Sequence, residues 1–319
     1  MIKLRRAIAF SALAATIGWA SPALAQTYPN QPVRILVPFS AGSATDILAR
    51  LISDKLADRL GQPVIVENRP GPPGTTAVAK SAADGYTLML TSNGHTISGI
   101  VNKSVAFDPV KDFSGVTLVA TVPYCVIVPP DFPPKSIKEL IELAKANPGK
   151  LNFASSGGVG SSTFIATVLF REAAGIDIVS VPYKGAPESL GAVMRNDAQM
   201  YFGPVNVAAE LMAAGKVRVL AVATSGRVPT MKDVPTIAES GLPGFKYEAW
   251  FGIMAPANTP RAIMSRLNAE IGDILKRPDI TERLAATGAV PLYSTPDEFD
   301  KIIAKDTARL TEMFKDGVK

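Results

Sequence analysis

Apolar runs of strand length alternate with amphipathic helical stretches along most of this chain, and that alternation confines it to an α/β fold with mostly parallel strands. VRILV (33–37) reads as the first strand. Residues 44–60 then read as a helix, with Ile47, Leu48, Leu51, Ile52, Leu56 and Leu60 on one stripe and Asp46, Arg50, Asp54 and Asp58 opposite. PVIVEN (63–68) is the next strand, RPGPPG (69–74) turns into a short helix, and YTLML (86–90) follows as a strand. VPYCVIV (122–128) reads as a strand leaving this first set.

A second set begins with a helix from Ser136 to Ala146, capped by Ser136 and stopped by Pro148-Gly149. LNFAS (151–155), a helix over 163–174, IVSVPY (178–183), a helix over 187–195, AQMYF (198–202) and VRVLAVA (217–223) continue the alternation. YEAWFGIMAP (247–256) reads as a long strand returning to the first set. Thr259 and Pro260 place a cap and an N1 proline before a helix carrying Leu267, Ile271, Ile274 and Leu275. Thr295 and Glu298 stand at capping-box spacing before the last helix. The expected organisation is a first lobe of residues 27–125 and 248–319, with a second lobe, 126–247, inserted into it. Two strands crossing between the lobes would form a hinge.

The first 25 residues read as an export signal. Lys3, Arg5 and Arg6 precede an apolar run over 7–20, and Ala23-Leu24-Ala25 matches a signal-peptidase site before Gln26. The run is shorter than the roughly 20 residues a membrane span needs. Cys125, the only cysteine, leaves no lipid attachment point near the cut, so a soluble periplasmic protein is expected. Three of the 33 Lys+Arg and none of the 28 Asp+Glu lie in this leader, so the remainder carries a formal charge of +2. With no Lys/Arg cluster, nucleic acid and anionic membrane surfaces are not expected partners, and a monomer is the expected state.

One cysteine cannot form an internal disulfide, and one histidine, His95, cannot furnish a zinc site. A Ser-His-Asp triad would rest on His95 alone, with no G-x-S-x-G elbow to hold its serine. No cofactor, no metal and no enzymatic activity are expected.

Loop PFSAGSATD (38–46) ends the first strand and opens the first helix. The N–H groups of a helix's first turn carry partial positive charge and need acceptors. Gly42, Ser43 and Ala44 are small enough to admit a ligand oxygen to that backbone; Ser40, Ser43 and Thr45 add hydroxyls, and Phe39 and Asp46 flank them. Loop SSGGVGSST (155–163) repeats the device with Ser155, Ser156, Ser161, Ser162 and Thr163. It lacks the lysine of a phosphate loop and does not fit G-x-G-x-x-G, so a small anion suits it better than a nucleotide. One such loop in each lobe predicts a ligand cleft between the lobes. Tyr183 and Gly185, Ser92 and Asn93, and Pro204 and Asn206 follow other strands and are further ligand-binding candidates. Each also has a plain reading: capped strand–helix connections, a core tyrosine, a turn glycine. Core roles are expected for Cys125, Trp250 and Phe251, and a structural one for His95.

The order of VPFSAGSATDILAR, VENRPGPPG, DGYTLML, FDPVKDF, FASSG, VPYKGAP, DVPTIAESGLPG and WFGIMAPANTP resembles the Bug family, the extracytoplasmic binding proteins of tripartite tricarboxylate transporters. The resemblance covers the chain beyond the leader. It implies a two-lobed periplasmic binding protein fold (type II-like) that closes on a small organic acid and delivers it to integral membrane transporter subunits. Carried onto this chain, it implies that a carboxylate is held by the loops from Phe39 to Asp46, Ser155 to Thr163 and Tyr183 to Gly185. Gly42-Ser43 replaces a common Gly-Gly pair, Phe164 stands where many members have His, and Ala192 is nearest in register to a common Asp. These departures bear on the ligand more than on the fold. Asp46 is the one acidic residue in these loops, which favours an acid without an amino group. Phe39, Phe164 and Tyr183 point to an aromatic one. Two alternatives stay open: a receptor presenting its solute to a membrane sensor kinase, and a periplasmic hydrolase.

Overall fold

The computed structural model describes residues 28–101, 105–157 and 161–315, apart from the side chains of 98, 99 and 101. The expected export signal and its cleavage site lie outside the described residues. The chain forms β1 (Val33–Val37), α1 (Ala44–Leu60), β2 (Val64–Asn68), α2 (Pro72–Ala79), β3 (Thr87–Ser92), α3 (His95–Val101) and the long strand β4 (Phe113–Val128). It continues with α4 (Ile137–Ala146), β5 (Asn152–Ser156), α5 (Ser162–Ala174), β6 (Val179–Tyr183), α6 (Ala186–Met194), β7 (Met200–Pro204), α7 (Val205–Ala213) and β8 (Arg218–Val222). It returns through β9 (Glu248–Pro256) to α8 (Arg261–Leu275), α9 (Pro278–Ala286), β10 (Val290–Pro291) and α10 (Pro296–Met313).

β4 ties the two halves together. Residues 113–123 pair with β9, whereas 124–128 pair with β7 and β8. The first half is ordered β2-β1-β3-β9-β4, and the second β6-β5-β7-β4-β8. Each half thus uses its second, first and third strands in parallel and then an antiparallel strand. The sheet is mixed where the sequence reading expected mostly parallel pairs, because both crossing strands run antiparallel to their neighbours. β4 also starts nine residues earlier than the VPYCVIV run. Its first part hides from pattern reading, since register shifts between Gly115 and Thr117 and between Leu118 and Ala120 break the period of two.

Packing follows strand alternation. Ile35 and Val37 face Leu48 and Ile52 of α1 and Leu267 of α8, while Leu36 and Met89 face Val78 of α2 and Phe299 and Ile303 of α10. In the second half Phe153 and Phe202 meet α5, and Ala154 and Tyr201 meet α6 and α7. All six residues of β3 are buried, as expected of a strand covered on both faces. On edge strand β6, by contrast, Val179, Ser180 and Pro182 are exposed.

Two of the expected helix details change. Ile47 of α1 is 43% exposed and Asp46 only 3%, the reverse of the stripe assignment. The first turn is set by Asp46's hydrogen bonds, not by apolar burial. At α8 the N-cap is Pro260 itself, and the Thr259 hydroxyl donates to the Pro256 carbonyl instead of capping. The Thr295–Glu298 capping box forms as read. Short helices α3, α7 and α9 were not read from the sequence.

Gly115 and Gly252 form a window over which Phe299 lies. A Cβ built on Gly252 would stand 2.3 Å from the Phe299 ring and 3.1 Å from the Thr117 carbonyl oxygen. Phe299 is fully buried with Trp250 edge-on at 5.1 Å, so it has nowhere to go. Gly252→Ala is expected to destabilise the protein by about 2 kcal/mol through overpacking, read as a lower urea midpoint at unchanged m-value.

Candidate functional site

Strand direction positions the site. β3 is antiparallel to β9 and β9 to β4, so β1, β2 and β3 run with β4, and their carboxyl ends point toward the second half. β7 is antiparallel to β4, and β5 and β6 run with β7, so their carboxyl ends point back. The loops after Val37, Asn68 and Ser92 therefore confront those after Ser156, Tyr183 and Pro204, with the change of partners at Pro123–Tyr124 between them.

In the first loop Ser43 caps α1 by accepting from the Asp46 amide at 3.3 Å. Gly42 has φ +79, which favours glycine, and donates its N–H to Asp46 Oδ2 at 2.9 Å. Asn68 Nδ2 donates to Asp46 Oδ1 (2.9 Å) and to the Phe39 carbonyl (3.2 Å), and Arg50 reaches both Asp46 and Asn68. Burial pushes the Asp46 carboxyl up, but the bonds from Arg50, Gly42 and Asn68 outweigh it and hold it below the usual carboxylate range. Asp46 and the Gly42 amide thus build the loop. The amides of Ala44 and Thr45 find no acceptor among the described residues, and Ser40, Ala41, Gly42 and Ala44 are exposed. Phe39 is half-buried and Thr45 buried.

The second loop closes on itself in the same manner; its residues 158–160 lie outside the described ones. Ser161 caps α5 by accepting from the Phe164 amide at 3.2 Å. Thr163 Oγ1 accepts from the Ser156 amide (3.1 Å) and lies 3.0 Å from Ser161 Oγ. Ser156 Oγ donates to the Tyr201 hydroxyl and shares a 2.8 Å bond with Ser189 Oγ. Ser155 is fully buried. The amides of Ser162 and Thr163 find no acceptor among the described residues. Phe164 is turned into the core against Phe153 and offers no aromatic wall to a cleft, and Ala192 is also buried.

Ser92 and Asn93 are buried at the end of β3. Ser92 Oγ accepts from the Gly94 amide, while Asn93 accepts from Ser162 Oγ at 2.8 Å and donates to the Tyr247 hydroxyl at 2.9 Å. Tyr183 is half-buried at the end of β6, with its carbonyl accepting from the Gly157 amide at 2.9 Å. Gly185 caps α6 in an extended conformation that any residue adopts, and a Cβ there would meet only Pro187 Cδ at 3.8 Å. Pro204 starts α7, and Asn206 packs on Gly288 of the first half. Asn206 Oδ1 is buried with no partner among the described residues.

Sequence reasoning missed Asn68, Ser189, Tyr201 and Tyr247. The available signal was chemical: a tyrosine in an apolar strand must find a partner for its hydroxyl. His95 is enclosed by Phe107 and Phe113, and its Nε2 lies 2.8 Å from the Pro109 carbonyl. Cys125 is buried in β4, which pushes its thiol far up. Among the described residues no cluster of His, Cys, Asp and Glu suits a metal. What the two loops offer a ligand is uncharged: helix-end amides and hydroxyls.

Residues 48–317 match the TctC family, described as Tripartite tricarboxylate transporter family receptor. The chain is 38% identical over 304 residues to Protein BugT of Bordetella pertussis, covering 92% of each. It is similar to the structure of the periplasmic binding protein BugD, with a TM-score of 0.78 and 32% identity over 91% of this chain and 98% of that one. MatC of Rhodopseudomonas palustris, solved with bound malate, gives 0.79 and 32% over 89% and 99%. The likeness to BugD gives the chain the periplasmic binding protein fold, and the strand order described above is that of two lobes joined by β4 and β9. The chain belongs to the Bug family of tripartite tricarboxylate transporter receptors.

Proposed function

We propose that this protein is a periplasmic solute-binding protein that captures a small organic acid between its lobes and delivers it to the membrane subunits of a tripartite tricarboxylate-type transporter. The observation that carries the reading is the pair of confronting helix ends, α1 in one lobe and α5 in the other, each with two amides lacking an acceptor among the described residues. A carboxylate spread over both ends would gain charge-assisted hydrogen bonds only when the lobes approach, so binding would favour closure about β4 and β9. The change of β4's partners from β9 to β7 and β8 at Pro123–Tyr124 supports a lobe boundary there, two residues before the 125/126 boundary read from the sequence, with the return crossing at the start of β9. MatC's malate, in a protein one-third identical, supports a carboxylate as the ligand class. The proposed ligand-contact set is Ser40, Ser43, Ala44, Thr45, Ser161, Ser162 and Thr163, with Gly42 shaping the first loop and Tyr183 at the rim.

A thermal-shift screen against dicarboxylates, tricarboxylates, aromatic acids and neutral controls tests the reading. A ligand at a hundred times its dissociation constant stabilises the fold by about 2.7 kcal/mol, so one class of acids should raise the melting temperature. A shift by neutral or cationic compounds alone would reject an anion site. Gly42→Val is expected to weaken acid binding at least tenfold in calorimetry. Its Cβ meets nothing within 4 Å, but φ +79 strains a β-branched residue. Gly185→Val should cost far less, because nothing in its backbone requires glycine. Equal affinity in Gly42→Val would take loop 38–46 out of the site.

A further inference from the structure

Three buried groups at the junction of the lobes close a ring of hydrogen bonds. Asn93 Nδ2 donates to the Tyr247 hydroxyl (2.9 Å), that hydroxyl donates to the Ser162 carbonyl (2.6 Å), and Ser162 Oγ donates back to Asn93 Oδ1 (2.8 Å). Asn93 stands at the end of β3 in the first lobe, Ser162 begins α5 in the second, and Tyr247 immediately precedes β9. All three residues are less than 7% exposed. Asn93 and Tyr247 have anchors of their own. The Asn93 amide donates to the Trp250 carbonyl, its carbonyl accepts from Thr96 Oγ1, and the Tyr247 ring lies edge-on to Tyr124 at 5.7 Å.

A cavity of about 230 Å³ lies beside the ring, lined by Asn93 and Tyr247, by Ile165 and Leu169 of α5 and by Asp306 and Leu310 of α10. The ring ties the amino end of α5 to the first lobe, since opening any one bond strands a buried donor or acceptor and bonds in a ring strengthen each other.

We propose that Asn93, Ser162 and Tyr247 are positioning residues for ligand capture. Through the ring they set where the amino end of α5 stands relative to the first lobe, and so whether both helix ends can grip one carboxylate. For Ser162 this replaces direct side-chain contact: its hydroxyl is committed to Asn93, and only its amide faces a ligand. The ligand-binding part rests on the carboxylate reading above; the positioning part does not.

The test uses the chain from residue 26 onward, spin-labelled at Asp54→Cys in the first lobe and Lys145→Cys in the second; buried Cys125 stays unlabelled. Tyr247→Phe removes two bonds of the ring and keeps the aromatic volume. The expected result is a broadened distribution of interlobe distances without ligand, and malate binding at least tenfold weaker than in the labelled parent. Ser162→Ala, which removes one hydroxyl, should show the same change to a smaller degree and carries the test if Tyr247→Phe does not fold. Distance distributions that superimpose on the parent in the folded variants would overturn the proposal, whether or not malate binds. A broadened distribution in a protein whose parent binds no carboxylate would support positioning and strike out the ligand class.

Discussion

Asp46→Ala is expected to remove measurable binding of organic acids and to destabilise the protein by about 3 kcal/mol, roughly 6 °C in melting temperature. The carboxylate is the hub of the first loop. It holds the Gly42 amide, the Asn68 side chain and Arg50 at once, and it is itself buried. Without it the Gly42 amide and one Asn68 donor lose their acceptor, and the left-handed turn at Gly42 loses the bond that selects it. Arg50 is not stranded, because its side chain is 54% exposed. The loss therefore falls at the low end for a broken buried network. Asp46→Asn, which keeps one acceptor oxygen, should recover part of the stability and little of the binding. Acid should mimic the mutation. The folded carboxyl titrates below its unfolded value, so its stabilisation is present above the usual carboxylate range and is lost as pH falls through the folded pKa. Thermal melts and calorimetry on the two variants check this; full binding by Asp46→Ala would show that the loop is not part of the site.

His95 should dominate the pH dependence of stability at higher pH. Burial between Phe107 and Phe113 lowers its pKa from 6.5 to about 4, against the opposing hydrogen bond to the Pro109 carbonyl. The unfolded chain therefore binds this proton more readily than the folded one, and stability falls as pH drops from 6.5 toward 4. Integrated over that window the loss is about 3 kcal/mol. Below pH 4 both states are protonated and the effect levels off. Urea midpoints at pH 7.5, 5.5 and 4.5 measure it, with His95→Gln as the comparison: carboxylates titrate alike in both proteins and cancel in the difference. The gap between the two should shrink steadily as the pH falls. A constant gap would mean that His95 takes up its proton equally readily in the folded and unfolded states, as a solvent-reached imidazole does.

Much of the architecture was legible because it is written in local periodicity. The 3.6-residue pattern placed α1 at its observed bounds, Ser136 and the Thr295–Glu298 pair capped their helices as read, and the strand–small loop–helix device was visible in each half. The failures have separate physical causes. The first part of β4 carries bulges that destroy its alternation, and Pro260, not Thr259, ends up as a cap once Thr259 finds the Pro256 carbonyl. Phe164 looked like a cleft residue and is instead core, because α5 turns that face toward Phe153.

The sequence by itself determined the fold class, the family and the two loops that present helix ends, since these depend on residue type and spacing within about 20 neighbours. Only the tertiary structure decided which polar groups in those loops remain for a ligand. Asp46 is consumed by Gly42 and Asn68, Ser156 by Tyr201 and Ser189, and Ser162 by Asn93, with the partners 4 to 69 residues away. A hydroxyl or carboxylate looks equally available wherever it occurs in a string. Burial forces it to find a partner, and which partner lies within reach depends on how the strands are ordered in the sheet.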